Sequence, residues 1–208
     1  MEKGNYLEDL SEIRSLMNRS SRFISLSGLS GILAGMYALL GATIAFFRIQ
    51  HYEYMPGVRN VYEQKYVELT VELIIIGIAV AILAITTGIW LTSRKARSKG
   101  EKMWDVSSKR LLINFLIPLV TGGIFSILMV ANKNVGIIAP CTLIFYGLAC
   151  VNASKYTLGD IRYLGIANII TGLVATQFIG YGLYFWAIGF GVFHIFYGVL
   201  MYMKYDRQ

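Results

Sequence analysis

The chain has 208 residues, of which 56% are hydrophobic and only 15% are charged, with a formal net charge of +7. Soluble domains carry about a quarter charged residues, so this composition argues against a soluble globular protein. A helix needs about 20 apolar residues to cross a bilayer core of about 30 Å, and the charges here avoid the long apolar runs. The sequence therefore predicts an all-α, polytopic membrane protein. We predict six spanning helices, at about residues 23–47, 71–91, 111–131, 135–151, 164–178 and 183–202.

The first 22 residues precede these runs and have a different pattern. Apolar side chains between Tyr6 and Met17 recur at helical spacing, with charged side chains on the opposite face. The pattern predicts an amphipathic N-terminal helix over residues 1–22 that lies on the cytoplasmic surface of the membrane. A dedicated partner-docking helix is the alternative. Residues 23–208 then form a single six-helix transmembrane domain.

Small residues repeat every four positions in the first predicted span, at Ser27, Gly31 and Gly35. Such spacing lets helix backbones approach closely in lipid. The face is expected to pack within the chain, and a seam between two copies of a homo-oligomer is the alternative.

The segment over residues 48–69 is predicted to be the only sizeable loop on the outer side. Glu68 and Glu72 follow it, four residues apart on one face of the second helix. With His51, this outer carboxylate pair is a candidate site for a cation or for proton uptake. The alternative is that carboxylates simply favour a helix N-terminus, where they complement the helix dipole.

Basic residues are distributed unequally between the two sides of the membrane. If the N-terminus is cytoplasmic, 15 of the 19 Lys and Arg residues lie in inner segments, which is the positive-inside pattern. This predicts a multi-pass protein of the cell inner membrane with both termini in the cytoplasm. The inner loop after helix 2 is expected to contact anionic lipid headgroups and not nucleic acid. Its candidate contact residues are Arg94, Lys95, Arg97, Lys99 and Lys102.

The two C-terminal pairs of helices have similar sequences. Ile144-Phe145-Tyr146-Gly147 recurs as Ile195-Phe196-Tyr197-Gly198, 51 positions later, and Thr121-Gly122 resembles Thr171-Gly172. In the first pair of helices, Thr87-Gly88 of helix 2 holds the place that matches Thr121-Gly122 and Thr171-Gly172. Each pair starts and ends on the inside, so we predict three parallel helical-hairpin repeats, unlike the inverted repeats of many transporters.

Polar side chains deep in the predicted helices are few and uncharged. His194 lies near the middle of the last helix, on a face with small residues, and intramembrane ionisable residues are functional candidates. It is a candidate site for a solute or a proton, whereas a neutral His can also simply join helices. No second metal ligand or haem ligand accompanies it, so neither a cofactor nor a metal is predicted. The full candidate set is His194, Asn114, Asn168, Thr121, Thr171 and Tyr197.

Several stretches resemble a family of uncharacterised six-helix inner-membrane proteins of the Bacteroidetes lineage. They include residues 107–114, 117–125, 151–158 and 185–194, together with the N-terminal run from Glu12 to Gly35. The resemblance covers nearly the whole chain and implies topology and compartment, not an activity. In hairpin layout the chain is also loosely similar to the acid-resistance membrane proteins with two-helix repeats.

Two classes of function follow. The sequence contains no nucleophile–base pair, no carboxylate pair in a cavity and no phosphate-binding glycine loop, which favours a non-enzymatic membrane protein for stress response, sensing or scaffolding. The alternative is a small-solute or proton transporter or channel with a site near His194, Asn114 and Asn168.

Overall fold

The computed structural model describes residues 27–53, 59–98, 100 and 104–206, with only the backbone at residue 53 and at residues 59–65. The predicted N-terminal amphipathic helix lies outside these residues. The described part of the chain is helical and contains no strand, which confirms the all-α class.

Six helices form the described part of the chain. Five of them are long and apolar enough to cross a membrane, and α5, with 15 residues, is the shorter apolar helix. A 3-10 turn, Val135–Ile137, precedes α4. The helices are α1 Gly28–Glu53, α2 Arg59–Ser98, α3 Val106–Ala131, α4 Ile138–Ala153, α5 Ile161–Ala175 and α6 Gly182–Asp206.

The helix ends differ most from prediction around residues 48–69, between α1 and α2. The expected loop over residues 48–69 is mostly helical, because α1 continues to Glu53 and α2 already begins at Arg59. An apolar run marks the part of a helix that suits lipid, whereas backbone hydrogen bonds continue as long as the local sequence allows. The tight turns after α3 and before α6 occur where predicted, at Lys133 and Gly180, and both residues have positive φ.

Glycines let α4 and α5 cross in close backbone contact. A Cβ atom added to Gly165 would lie 2.6 Å from the Gly147 carbonyl oxygen and 2.9 Å from the amide nitrogen of Val151. One added to Gly172 would lie 2.9 Å from the Pro140 carbonyl oxygen. No side chain fits at either position, so the two glycines fix the separation of these helices.

The crossing of α6 with α1 repeats the same contacts. A Cβ atom on Gly28 would meet the Gly198 carbonyl oxygen at 2.7 Å and would also meet the amide nitrogen of Tyr202. One on Gly35 would lie 2.6 Å from the Gly191 carbonyl oxygen. The α6 residues lie 51 positions after their counterparts in α4, as in the repeated tetrapeptide. The predicted packing of the first helix within the chain is therefore present, against α6.

The remaining two helices lie at the edges of the bundle. In the described part of the chain, α2 packs chiefly on α1, and α3 packs chiefly on α4. Their outward faces carry isoleucines that are more than half exposed, such as Ile78 and Ile82 on α2 and Ile117 and Ile124 on α3. Contiguous exposed apolar surface of this kind suits contact with lipid or another helix.

The end of α6 ties four helices together at one end of the bundle. Asp206 accepts a hydrogen bond of 2.9 Å from the backbone amide of Gly28 in α1 and forms an ion pair with Lys95 of α2. Two residues earlier, the Lys204 ammonium lies 2.8 Å from Asp160, which immediately precedes α5. Lys95 and Asp206 are nearly buried, with 12% and 11% of their side chains exposed.

Candidate functional site

His194 lies in the core, where α6 meets α4. Its Nδ1 atom is 2.9 Å from the Gly189 carbonyl oxygen, and its Nε2 atom is 2.6 Å from the Tyr146 hydroxyl. A carbonyl oxygen can only accept, so Nδ1 carries the proton. In a neutral ring, Nε2 then accepts a hydrogen bond from the Tyr146 hydroxyl. Both ring nitrogens are thus engaged within the protein, and one of them joins two helices.

The carbonyl that His194 uses belongs to a π-helical segment. Residues Ala187–Val192 form this segment in the middle of α6, between two α-helical parts. Wide π-type turns inside α-helices are rare and occur often at functional sites. Here the segment places the Gly189 carbonyl oxygen within reach of a side chain five residues later.

Aromatic rings surround the histidine. The Tyr146 and Phe190 ring centroids lie 5.2 Å and 5.9 Å from that of His194, and Phe190 also lies 5.1 Å from Trp186. Phe115 of α3 contacts the other side of Tyr146, with centroids 6.0 Å apart. The imidazole is therefore held by packing as well as by its hydrogen bonds.

Two buried polar atoms near this cluster have no hydrogen-bond partner among the described residues. They are the Asn168 side-chain oxygen and the Tyr197 hydroxyl. The Asn168 amide nitrogen donates to the Leu164 carbonyl oxygen of its own helix, at 2.9 Å. A Cβ atom on Gly189 would lie 2.6 Å from the Asn168 oxygen, so Asn168 and the His194 acceptor are neighbours.

The structure does not bring the other predicted residues to this cluster. The backbone carbonyl of Asn114 accepts a hydrogen bond of 2.8 Å from Asn152, which joins α3 to α4. Thr121 is exposed, and its hydroxyl donates to the Ile117 carbonyl oxygen of its own helix. Thr171 is half-buried on α5. Of the predicted set, Asn168 lies beside Gly189, the residue whose carbonyl His194 uses, and Tyr197 lies about one turn further along α6 than His194.

Glu72, one of the two outer carboxylates, is already paired. Both of its oxygens accept hydrogen bonds from the Arg48 guanidinium of α1, at 2.8 Å and 2.6 Å, and Tyr52 donates a third. Glu68 and His51 are exposed. Among the described residues, no group of three or more His, Cys, Asp or Glu side chains could hold a metal ion. The geometry of Glu72 is that of an ion pair between α1 and α2.

The basic patch predicted to contact lipid headgroups is only partly exposed. Arg94 and Arg97 are exposed, whereas Lys95 is turned toward Asp206. Lys99 and Lys102 lie outside the described residues. Lys95 pairs with the Asp206 side chain, whereas the sequence predicts that it contacts lipid headgroups. Sequence spacing alone could not place Asp206 next to Lys95.

Tyr146, the hydrogen-bond partner of His194, is absent from the set predicted from sequence. It lies in the repeated tetrapeptide, 51 positions before Tyr197, which belongs to that set. The repeat is the sequence signal for it, because it places two tyrosines at equivalent positions as alternative partners of His194.

Comparison with known proteins adds no identity. No protein-family model, no curated protein and no solved structure matches the chain. The resemblance to a Bacteroidetes membrane-protein family stays a prediction.

Proposed function

We propose that the protein is a non-enzymatic, multi-pass protein of the bacterial inner membrane, with a scaffolding or sensing role linked to stress. The observation that supports this best is the geometry of His194. Both nitrogens of this ionisable side chain are engaged within the protein, and Nε2 holds α6 against α4 through Tyr146. A side chain engaged in this way joins helices and is not poised to bind a solute.

We also propose six membrane spans, arranged as three parallel hairpins with both termini in the cytoplasm. The matching contacts of the α4–α5 and α6–α1 crossings support a repeat. The third copy is suggested by Thr87-Gly88 of α2, which resembles Thr121-Gly122 and Thr171-Gly172. The excess of basic residues in the inner segments supports the orientation.

Lipid and other copies of the chain are the proposed partners. Arg94 and Arg97 are positioned to contact anionic headgroups at the inner surface. The small-residue face of α1 is covered by α6 and is not free for another copy. On α2, Cβ atoms at Gly77 and Gly88 would meet nothing within 4 Å, so association between copies is proposed there.

A flux measurement tests the scaffold proposal. Purified wild-type protein and His194→Ala would be reconstituted into liposomes that carry a pH-sensitive dye, with a thermal unfolding curve for each. We expect no flux above that of empty liposomes from either protein, and a lower melting temperature for His194→Ala. Wild-type flux that disappears in a folded His194→Ala protein would contradict the scaffold role.

A small-solute or proton transporter is the second candidate. It is favoured by the two buried polar atoms without a partner, on Asn168 and Tyr197, beside the His194–Tyr146 hydrogen bond. Together with the π-helical segment, these groups are the components from which a polar pathway could be built. In the same assay, this candidate requires that Tyr146→Phe lower the flux while leaving the fold intact.

A further inference from the structure

A groove separates α5 from α6 at the end of the bundle where Asp160 and Lys204 meet. The groove is open on one side and has a volume of about 660 Å³. Its lining is mainly apolar and includes Leu164 and Ala167 of α5 and Phe193 of α6. The groove exists because α5 is drawn onto α4 by the glycine crossing and contacts α6 far less extensively. His194 and Asn168 do not line it.

The length of the groove matches one leaflet of a bilayer. It extends along α6 from Lys204 to Phe193, which is 11 residues, or about 16 Å at 1.5 Å per residue. That is about half of a hydrocarbon core of about 30 Å. An extended acyl chain from the adjacent leaflet therefore has the length and chemistry to fill the groove.

The mouth of the groove carries one positive and one negative charge. The Lys204 ammonium lies 2.8 Å from Oδ2 of Asp160, and the Tyr205 hydroxyl donates to the same oxygen. The Lys204 side chain is 58% exposed, and an ammonium has three donors, so it can also bind a phosphate. The Asp160 side chain is 33% exposed and offers a carboxylate to a cationic group.

We propose that this groove binds a zwitterionic phospholipid of the phosphatidylethanolamine type. One acyl chain lies between α5 and α6, the phosphate contacts Lys204 and the ammonium contacts Asp160. A zwitterionic headgroup matches the paired charges at the mouth, whereas a purely anionic headgroup would place its charge beside Asp160 as well. The inference rests on the proposed membrane location of the chain.

Photo-crosslinking tests the site directly. The wild-type protein would be placed in nanodiscs with a phosphatidylethanolamine that carries a diazirine in its acyl chain, or with the matching phosphatidylglycerol probe. Peptide mapping should show enriched labelling of α5 and α6 near Ala167 and Phe193 with the first probe, and weaker labelling with the second. Labelling that is no stronger there than on the outward faces of α2 and α3 would overturn the proposal.

Matched variants sharpen the result. Ala167→Phe fills the groove, and the same change at the exposed Ala81 of α2 serves as the control. We expect the enriched labelling to fall at least fivefold in Ala167→Phe and to remain in Ala81→Phe. Lys204→Gln changes the groove only at its mouth, and it should remove the preference for phosphatidylethanolamine. Equal labelling by both probes in the wild type would overturn the headgroup assignment.

Carbonate extraction of cell membranes tests the proposed membrane location independently of the lipid site. A protein that resists extraction but shows no enriched labelling refutes the lipid site alone. Release by carbonate refutes the membrane location, and the lipid site with it.

Discussion

Glycines at the α4–α5 and α6–α1 crossings contact a neighbouring helix, whereas a Cβ atom on Gly88 of α2, at the edge of the bundle, would meet no neighbour within 4 Å among the described residues. In both crossings one glycine, Gly147 of α4 or Gly198 of α6, lies against the backbone of the partner helix, which is α5 or α1. Gly88 of α2 has open space beside it among the described residues. In the described part of the chain, a helical glycine therefore supports a close crossing in two places and leaves an open face in the third. Small residues permit close approach, and the surrounding packing decides whether it occurs.

The largest expected effect comes from filling these glycines. A Cβ atom on Gly147 would lie 2.5 Å from the Gly165 carbonyl oxygen, and one on Gly198 would lie 2.5 Å from the Ile32 amide nitrogen. We expect Gly147→Leu and Gly198→Leu each to lower the free energy of unfolding by about 3 kcal/mol, because overpacking forces the backbones apart.

Gly88→Leu is the matched control, since the gain in helix propensity is the same at all three positions. Thermal unfolding in detergent should leave this variant within about 0.5 kcal/mol of the wild type. If Gly88→Leu lowered the free energy of unfolding as much as Gly147→Leu, another helix would have to cover α2 at Gly88. The proposed difference between α2 and the two helix crossings would then be wrong.

The next effect concerns the two ion pairs at the end of α6. Asp206→Asn removes the ion pair with the nearly buried Lys95 ammonium, and we expect a loss of about 2 kcal/mol in the free energy of unfolding. Asp160→Asn is the control, because the Asp160–Lys204 pair is much more exposed and should matter less. Chemical denaturation in mixed micelles would measure both variants, and the reverse order would refute the role given to Asp206.

Tyr146 and Tyr197 occupy equivalent positions in the two Ile-Phe-Tyr-Gly segments but have different partners. Tyr146→Phe removes the hydrogen bond to His194 and should cost about 1 kcal/mol of stability. Tyr197→Phe removes a buried hydroxyl that has no partner among the described residues, so stability should stay equal or rise. Melting temperatures of the two variants compare them directly. Equal losses would mean that Tyr197 has a partner of its own.

The smallest expected effect is a dependence of stability on pH at the Asp160 pair. The hydrogen bond from Lys204 lowers the pKa of Asp160 below its usual value. A carboxyl whose pKa is lower in the folded state stabilises the fold above its unfolded pKa, and this contribution is lost as pH falls through the folded value. The difference in melting temperature between wild type and Asp160→Asn should therefore shrink on acidification below about pH 4. A difference that is constant across this range would contradict the assignment.

Much of the fold could be predicted because lipid imposes a simple rule on sequence. Long apolar runs located the helices, and the tight turns at Lys133 and Gly180 followed from short polar or glycine-rich links. The end of α1 at Glu53 and the start of α2 at Arg59 could not be located in this way, since backbone hydrogen bonds continue beyond the apolar run. The close packing of α1 against α6 could not be assigned either, because a small-residue face does not specify its partner.

The candidate site was predictable only in part for a related reason. His194 is conspicuous as an ionisable residue in an apolar helix, but its acceptor is a backbone carbonyl made available by the π-helical segment at residues 187–192. Sequence periodicity does not reveal such a segment. Asn114 shares the polarity of Asn168 but hydrogen-bonds to Asn152 on another part of the bundle.

The protonation pattern of His194 tests the central claim most directly. Nitrogen NMR of the ¹⁵N-histidine-labelled protein in nanodiscs, with His51→Gln to remove the other histidine, reports on each ring nitrogen at neutral pH. The account predicts a neutral ring with the proton on Nδ1 and with Nε2 as acceptor, and a shift of the Nε2 signal in Tyr146→Phe. A proton on Nε2, or on both nitrogens, would contradict a histidine that joins α4 to α6 and would favour a proton site instead.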